Sequence, residues 1–435
     1  MRFLAIIVLL FGFSAAAIFE SIVQKRQNRD MSKNWAVLVA GSANWGNYRH
    51  QADICHAYQI LIRRGFHAEK IITMFYDDLF NNYSRIDVYK GVKIDYSGDI
   101  VAPAIFLLMM RGDQGLKQKG FKVLESTAED NVFFNFVDHG ANGLLGFPRE
   151  KTLLASDLQD LVTEMSQMKR FKEFLIYIEA CESGSLWEGY NLPDNVYATT
   201  AANSYESSYA CFCDDPVIGM CMGDIYSVNW MNDTETHSTM NRTVEQQYEA
   251  VKQLTQKSHV TEFGDRKVAS DDLEEFQGQT TCKEKNDETI AMLPPPDQLD
   301  SRKAHLARHY QVLRRSNDVI KRREAQHHIT LDEMRNAHVE QVIEWIVEAS
   351  MGKLDSVASA QMTEKVNVNK EFLDGRQYAK CYQSLVKQFT NCFTMNKVPM
   401  SAKQYFKFRN LCKFSSQLDQ GPTQLEAIVA AACDF

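Results

Sequence analysis

Phe174-Leu175-Ile176-Tyr177-Ile178-Glu179-Ala180-Cys181-Glu182-Ser183-Gly184 is the stretch that decides the reading of this chain. Five apolar residues, β-branched or aromatic for the most part, give way abruptly to small and polar ones. That pattern is a short buried strand delivering a cysteine at its carboxyl end. Upstream, Phe133-Phe134-Asn135-Phe136-Val137 has the same form and ends in Asp138-His139-Gly140. Parallel neighbours of this kind lie about 4.8 Å apart. His139 and Cys181 would then leave one edge of one sheet, within reach of a single carbonyl. A thiolate attacks, and an adjacent imidazole activates it and later protonates the leaving amine. The backbone N–H groups of Gly140 and Cys181 are the candidate oxyanion hole. A lone cysteine or histidine at a strand end is more often core. The two on consecutive strands form a candidate pair, and spacing carries the argument no further.

Working outward, apolar runs over 35–40, 71–76, 132–137, 173–178 and 196–200 read as strands. Helical spacing covers 50–64, 103–110 and 158–171. Alternation of this kind predicts an α/β fold with a mainly parallel sheet flanked by helices. Its catalytic edge lies at the carboxyl ends of the strands.

The composition shifts after Gly278. Residues 280–300 are polar and include Pro294-Pro295-Pro296, which reads as an exposed linker. Residues 302–323 carry eight Lys/Arg against Asp318, a local net of +7 in a chain whose net charge is -8. Thr330 and Glu333 have capping-box spacing and predict a helix start. Val339, Val342, Ile343, Ile346 and Val347 share one apolar face. The pattern divides the chain into a catalytic domain over 34–279, a linker over 280–324, and a small all-α domain over 325–435. The last holds Cys381, Cys392, Cys412 and Cys433; four cysteines permit three pairings, among which spacing does not choose. Cys213 and Cys221 can pair with each other or with Cys211.

At the other end, Arg2, an apolar run from Phe3 to Phe13 and Ser14-Ala15-Ala16-Ala17 read as a secretory signal over 1–17, followed by a short propeptide over 18–33. The run falls short of the ~20 residues that a membrane span needs, so the mature protein is expected to have no span. Secretion permits disulfides, and sequons at Asn82, Asn232 and Asn241 are expected glycosylation sites. The acidic balance argues against nucleic acid as a partner. No cysteine spacing gives a zinc pattern, and no metal or cofactor is expected. Arg111-Gly112-Asp113 reads as a turn.

Longer motifs add a resemblance. Gly41-Ser42, Asn47-Tyr48-Arg49-His50-Gln51-Ala52-Asp53, Tyr76-Asp77-Asp78, Asp138-His139-Gly140, the run from Tyr177 to Ser185, the run from Tyr197 to Asn203, the run from Glu206 to Cys211 and Gly223-Asp224-Ile225-Tyr226-Ser227 are similar to the legumain family, asparaginyl endopeptidases of caspase-like fold. The resemblance implies a cysteine endopeptidase cutting after asparagine, and after aspartate at low pH. It makes His139 and Cys181 the catalytic pair and Asn47 the third member. It assigns Arg49, His50, Glu179, Ser207, Ser208 and Asp224 to the first specificity pocket, and makes Asp138 a position for a cyclised aspartate. A primary amide offers one acceptor and two donors, which an arginine and carboxylates can match. The resemblance also implies acid autoactivation with a cut after Asn317, which makes the linker over 280–324 an activation peptide as well. It implies disulfides Cys381–Cys412 and Cys392–Cys433, and a C-terminal prodomain acting as intramolecular inhibitor. Its implied partners are protein and peptide substrates and cystatin-type inhibitors. Its implied location is the lysosome or vacuole, or outside the cell. Between Ser208 and Asp224 this chain is one residue longer than the family pattern. Two rival readings are the catalytic subunit of a glycosylphosphatidylinositol transamidase, which carries a C-terminal membrane helix, and an inactive binding protein, which would lack Cys181 or His139.

Overall fold

A computed structural model describes residues 33–78, 87–279, 295, 297–352, 354–368, 378–393, 404–418 and 421–434. The expected signal over 1–17, nearly all of the short propeptide, Asn82 and Cys282 lie outside the described residues.

The strands are β1 (Asn34–Ala40), β2 (Ile71–Met74), β3 (Asn131–Val137), β7 (Glu173–Glu179), β8 (Val196–Thr200) and β11 (Thr261–Gly264), arranged β11-β8-β7-β3-β1-β2. All neighbours are parallel except β11, which runs antiparallel to β8. Every residue of β1, β3 and β7 is buried, as expected for strands covered on both faces. Phe106 and Met109 of α2 (Pro103–Met110) and Leu158 and Leu161 of α3 (Ala155–Gln167) pack with Val37, Phe134 and Ile176 on one face. Ile54, Tyr58 and Leu61 of α1 (Tyr48–Arg63), Trp230 of α4 (Ile225–Thr236) and Val251 of α5 (Val244–Leu254) pack with Leu38, Phe133 and Tyr177 on the other.

The sheet edge carries short antiparallel additions. A three-stranded meander comprises β4 (Gly140–Ala141), β5 (Leu144–Phe147) and β6 (Lys151–Leu154). A second sheet is ordered β10-β9-β12, from β9 (Tyr209–Cys211), β10 (Gly223–Asp224) and β12 (Leu299–Asp300). The exposed linker expected over 280–300 therefore ends before 299: Leu299 and Asp300 pair with Ala210 and Tyr209. Beyond them come α6 (Ala307–Arg315) and α7 (Val319–Ser350).

The helix start expected at Thr330 is incorrect. Asp318 caps α7, accepting from the N–H groups of Ile320 and Lys321, a contact worth about 1 kcal/mol. Neither glycine nor proline interrupts 319–350, so Thr330 sits in mid-helix.

Helices α8 (Ser356–Val368), α9 (Ala379–Phe393), α10 (Phe406–Phe414) and α11 (Pro422–Ala431) pack on the apolar face of α7. That core takes in Ala141, Leu144 and Leu154 of the meander. The Tyr382 hydroxyl donates to the Asn142 carbonyl, and Arg409 donates to Asn142 Oδ1 at 2.8 Å. The helical unit is thus seated beside the sheet edge that carries His139. Disulfides join Cys213–Cys221, Cys381–Cys412 and Cys392–Cys433, while Cys55, Cys181 and Cys211 are buried free thiols. Arg111 pairs with Glu164 and Asp113 caps a short helix at Leu116, so the Arg-Gly-Asp tripeptide is a held turn. No described helix is long and apolar enough to cross a membrane.

Candidate active site

The β3–β7 register aligns Val137 with Glu179. His139 and Cys181 each follow two residues later and so leave the same sheet edge. The chain turns sharply after the thiol, with Glu182 in the left-handed region at φ 54°, a conformation costly for a residue with a Cβ. Gly140 is required by close approach: a Cβ there would lie 2.3 Å from the Cys181 carbonyl oxygen.

Asn47 lies just before α1, and its Oδ1 is 2.8 Å from His139 Nε2. An amide oxygen only accepts, so Nε2 carries the proton and Nδ1 keeps its lone pair. Asn47 is itself held by donation from Nδ2 to the Ala43 carbonyl at 2.9 Å. Cys181 Sγ accepts from the Ser208 N–H at 3.3 Å and lies 3.8 Å from Ser208 Oγ. Burial pushes the thiol's pKa up and the His139 imidazole's down, well below the usual histidine range. Both causes favour the uncharged pair.

Next to the thiol is a buried polar pocket. Arg49 Nε donates to Asp224 Oδ1 at 2.9 Å, with both side chains 1% exposed. Glu179 accepts from the Ser227 N–H at 3.0 Å and from its hydroxyl at 3.3 Å. His50 Nδ1 is 2.7 Å from Ser42 Oγ and 3.3 Å from Asp138 Oδ1, and its Nε2 is 3.7 Å from Asp224 Oδ2. Glu179 Oε1 and Asp224 Oδ2 are buried without a hydrogen-bond partner, so the pocket has spare acceptors. Burial raises the pKa of Glu179, Asp224 and Asp138, the last to about 8. His50, Asp138 and His139 bring ligand atoms within 4.8 Å of one another, but each imidazole already has a protein partner, Ser42 or Asn47. A cavity bordering His139 is lined also by Asn47, Tyr76, Arg149 and Lys151.

The pocket is occupied by the chain itself. The Ser301 N–H donates to the Ser208 carbonyl at 3.1 Å, extending the β12–β9 pairing toward the thiol. Ser301 Oγ lies 3.4 Å from Asp224 Oδ1 and 3.3 Å from Ser208 Oγ, and the Ser301 carbonyl accepts from Arg49 at 3.4 Å. Arg302 donates to the Ser207 hydroxyl and pairs with Glu182 at 3.2 Å. Further along the basic stretch, Ala304 and Ala307 pack with Ala210, Cys213 and Cys221, Gln311 donates to the carbonyls of Cys213 and Asp215, and Arg314 and Arg315 both pair with Asp214. Cys181 is left 2% exposed.

The structure therefore brings together Asn47, Arg49, His50, Asp138, His139, Gly140, Glu179, Cys181, Ser207, Ser208 and Asp224. Asn317 stands apart, exposed in the turn between α6 and α7. Asn241 is exposed, and Asn232 is half-buried on α4. Sequence reasoning missed Ser301, Arg302 as a site contact, Ser227 and Asp53. Asp53 stood within a quoted motif. Ser227 did too, and Arg302 opened the basic run; Ser301 carried no local signal.

A thiol, an imidazole and an orienting amide at the carboxyl ends of parallel strands define a cysteine hydrolase. The profile of the Peptidase C13 family matches residues 34–279, and the chain belongs to that family. It is a cysteine-type endopeptidase, with proteins as substrates. It is 38% identical to the hemoglobinase of Schistosoma mansoni over 397 residues, 88% of each chain. It is 38% identical to the legumain of Mus musculus over 417 residues, 90% of this chain and 91% of that one. The vacuolar-processing enzyme of Phaseolus vulgaris is 34% identical over 445 residues, 94% of this chain and 86% of that one. Among solved structures, caspase-1 from Spodoptera frugiperda aligns over 51% of this chain and 75% of its own, with TM-score 0.31 and 11% identity.

Proposed function

We propose that this endopeptidase cleaves after asparagine, and after aspartate in acid, and that it is made as a zymogen closed by its own C-terminal segment. One observation supports the specificity: the enclosed Arg49–Asp224 pair beside Cys181, with carboxylate oxygens on Asp224 and Glu179 that accept no hydrogen bond from the described residues. Arg49 would donate to the amide oxygen of an asparagine side chain, and the carboxylates would accept from its nitrogen. An apolar side chain would leave these buried groups unpaired, at about 1–3 kcal/mol each. An aspartate fits when one proton is shared between it and the pocket, which acid supplies.

In the reaction, the Cys181 thiol gives its proton to His139 Nδ1 and the thiolate attacks the scissile carbonyl carbon. The N–H groups of Gly140 and Cys181 hold the oxyanion. His139 passes the proton to the leaving amine as the C–N bond breaks, leaving a thioester on Cys181. It then takes a proton from water, which hydrolyses that thioester. The cavity bordering His139 would take residues on the leaving side.

Segment 299–302 supports the zymogen reading. It fills the pocket and shields the thiol, and both catalytic groups are held uncharged beneath it. Asn317, exposed in the turn between α6 and α7 beyond the covering segment, is the proposed site of self-cleavage. The 325–435 unit is the proposed intramolecular inhibitor, and cystatin-type proteins are proposed competitors for the cleared cleft. Relatives named legumain and vacuolar-processing enzyme favour a lysosomal or vacuolar setting.

The test is hydrolysis of matched fluorogenic peptides ending in Asn, Asp, Gln or Ala at pH 5.5 after acid preincubation. Turnover of the Asn peptide well above the Gln and Ala peptides, abolished by Cys181→Ser, is expected. Equal turnover of all four would refute the specificity.

A further inference from the structure

Helix α1 presents two ionisable side chains to Asp224 from one face, Arg49 and, one turn later, Asp53. Arg49 holds the Asp224 carboxylate. Asp53 holds its backbone: Asp53 Oδ2 accepts from the Asp224 N–H at 3.1 Å. Asp53 is 3% exposed. Its Oδ1 would lie 3.1 Å from a Cβ on Gly223, so the glycine leaves room for the carboxylate.

Other charges surround Asp53. Arg49 and Tyr48 lie on its own helix, Asp224 on β10, Glu179 on β7, and the free thiol of Cys211 on β9. His56 and Glu235 share the wall of the cavity it borders. His50 on the same helix sets Nε2 3.7 Å from Asp224 Oδ2, but burial holds its pKa well below the usual histidine range, so Arg49 is the cation set against the carboxylates of Asp53, Glu179 and Asp224. Buried like charges cannot all ionise together, so the three titrate as a unit.

We propose that Asp53 is a positioning residue of the specificity pocket: it fixes Asp224 in place and, as a further buried carboxylate beside it, governs how the pocket discriminates an amide from a carboxylic acid. The proposal rests on the asparagine reading above. Burial raises the pKa of Asp53, and the nearby Asp224 and Glu179 raise it further. Removing one acid from the unit lowers the apparent pKa of the remaining two. A pocket that loses its proton at lower pH stops sharing one with a P1 aspartate at lower pH, whereas an asparagine amide needs the ionised acceptors.

The experiment uses the acid-activated full chain, wild type and Asp53→Asn. It measures kcat and KM for Asn- and Asp-terminated peptides from pH 4 to 7. The amide can still accept from the Asp224 N–H. Expected is a shift to lower pH of the limb on which Asp turnover falls relative to Asn turnover. A shift of one pH unit lowers the Asp:Asn ratio about tenfold at fixed pH on that limb. Should the amide not be tolerated, Asp53→Ser keeps a small acceptor and is expected to shift the limb in the same direction. A ratio profile superimposable on wild type, with both substrates losing activity by one common factor, overturns the proposal and leaves a purely structural role. Failure of the wild-type enzyme to prefer the Asn peptide would instead sink the specificity reading.

Discussion

The Ser301 N–H reaches the Ser208 carbonyl at 3.1 Å, and the same Ser208 offers its own N–H to Cys181 Sγ at 3.3 Å. One residue therefore joins the covering segment to the nucleophile. With the pocket as proposed, antiparallel pairing on β9 would give Ser301 the place of the residue before a scissile bond, but its carbonyl is engaged by Arg49. In Ser301→Asn the side-chain amide would compete for Arg49 and free the carbonyl for the oxyanion hole. The variant is expected to cut itself after residue 301 on acid incubation, read by N-terminal sequencing of the fragments. An unchanged fragment pattern would show that the segment does not lie as a substrate does.

Asn47→Ala removes the acceptor that fixes the His139 tautomer. kcat is expected to fall by about tenfold or more with KM little changed, as when a general base loses its alignment. A rise in KM at constant kcat would move Asn47 from orientation to substrate binding.

The contribution of Asp138 to stability should fall with rising pH. Asp138 is held protonated in the fold, its pKa raised by burial to about 8, whereas an unfolded aspartate ionises near 3.9. Across that window the folded chain binds more protons than the unfolded one, so unfolding free energy declines as pH climbs from about 4 to about 8. Thermal melting of Cys181→Ser from pH 4.5 to 8 is expected to show the decline, and Asp138→Asn to flatten it. A pH profile that Asp138→Asn leaves superimposable on Cys181→Ser alone would contradict the assignment.

Much of this arrangement was legible in the sequence. Two apolar runs ending in Asp138-His139-Gly140 and Cys181-Glu182 sufficed to put thiol and imidazole on one edge, because buried parallel strands announce themselves. The short strands β9, β10 and β12 did not: each has two or three residues, and β12 finds its partner about ninety residues away. Arg302 was hidden for another reason. It opens a run of exposed charge, and only the fold shows it turned inward onto Glu182 and Ser207. Thr330 misled because a capping-box spacing also occurs by chance inside a long helix.

The proposed activation in acid would have a trigger in a histidine stack. His309 on α6 stacks on His328 of α7, ring centroids 4.5 Å apart, with His327 adjacent, Arg308 close by and His305 paired to Asp332. Burial, and then His328, lower the His309 pKa below the histidine value. The stack therefore contributes stability above about pH 6.5 and loses it as pH falls through the lowered value. His309→Gln is expected to move the onset of maturation to lower pH, followed by gel mobility. Maturation at the wild-type pH would remove this stack from the account.

The most direct measurement of the central claim is where an asparagine-directed electrophile lands. The chain, with and without acid treatment, is incubated with a peptidyl-Asn chloromethyl ketone and its Ala counterpart, then mapped by mass spectrometry. The account predicts alkylation of Cys181 by the Asn reagent after acid, little by the Ala reagent, and none in the untreated chain. Equal labelling by both reagents, or a Cys181 that stays unlabelled while Asn peptides are hydrolysed, would contradict it.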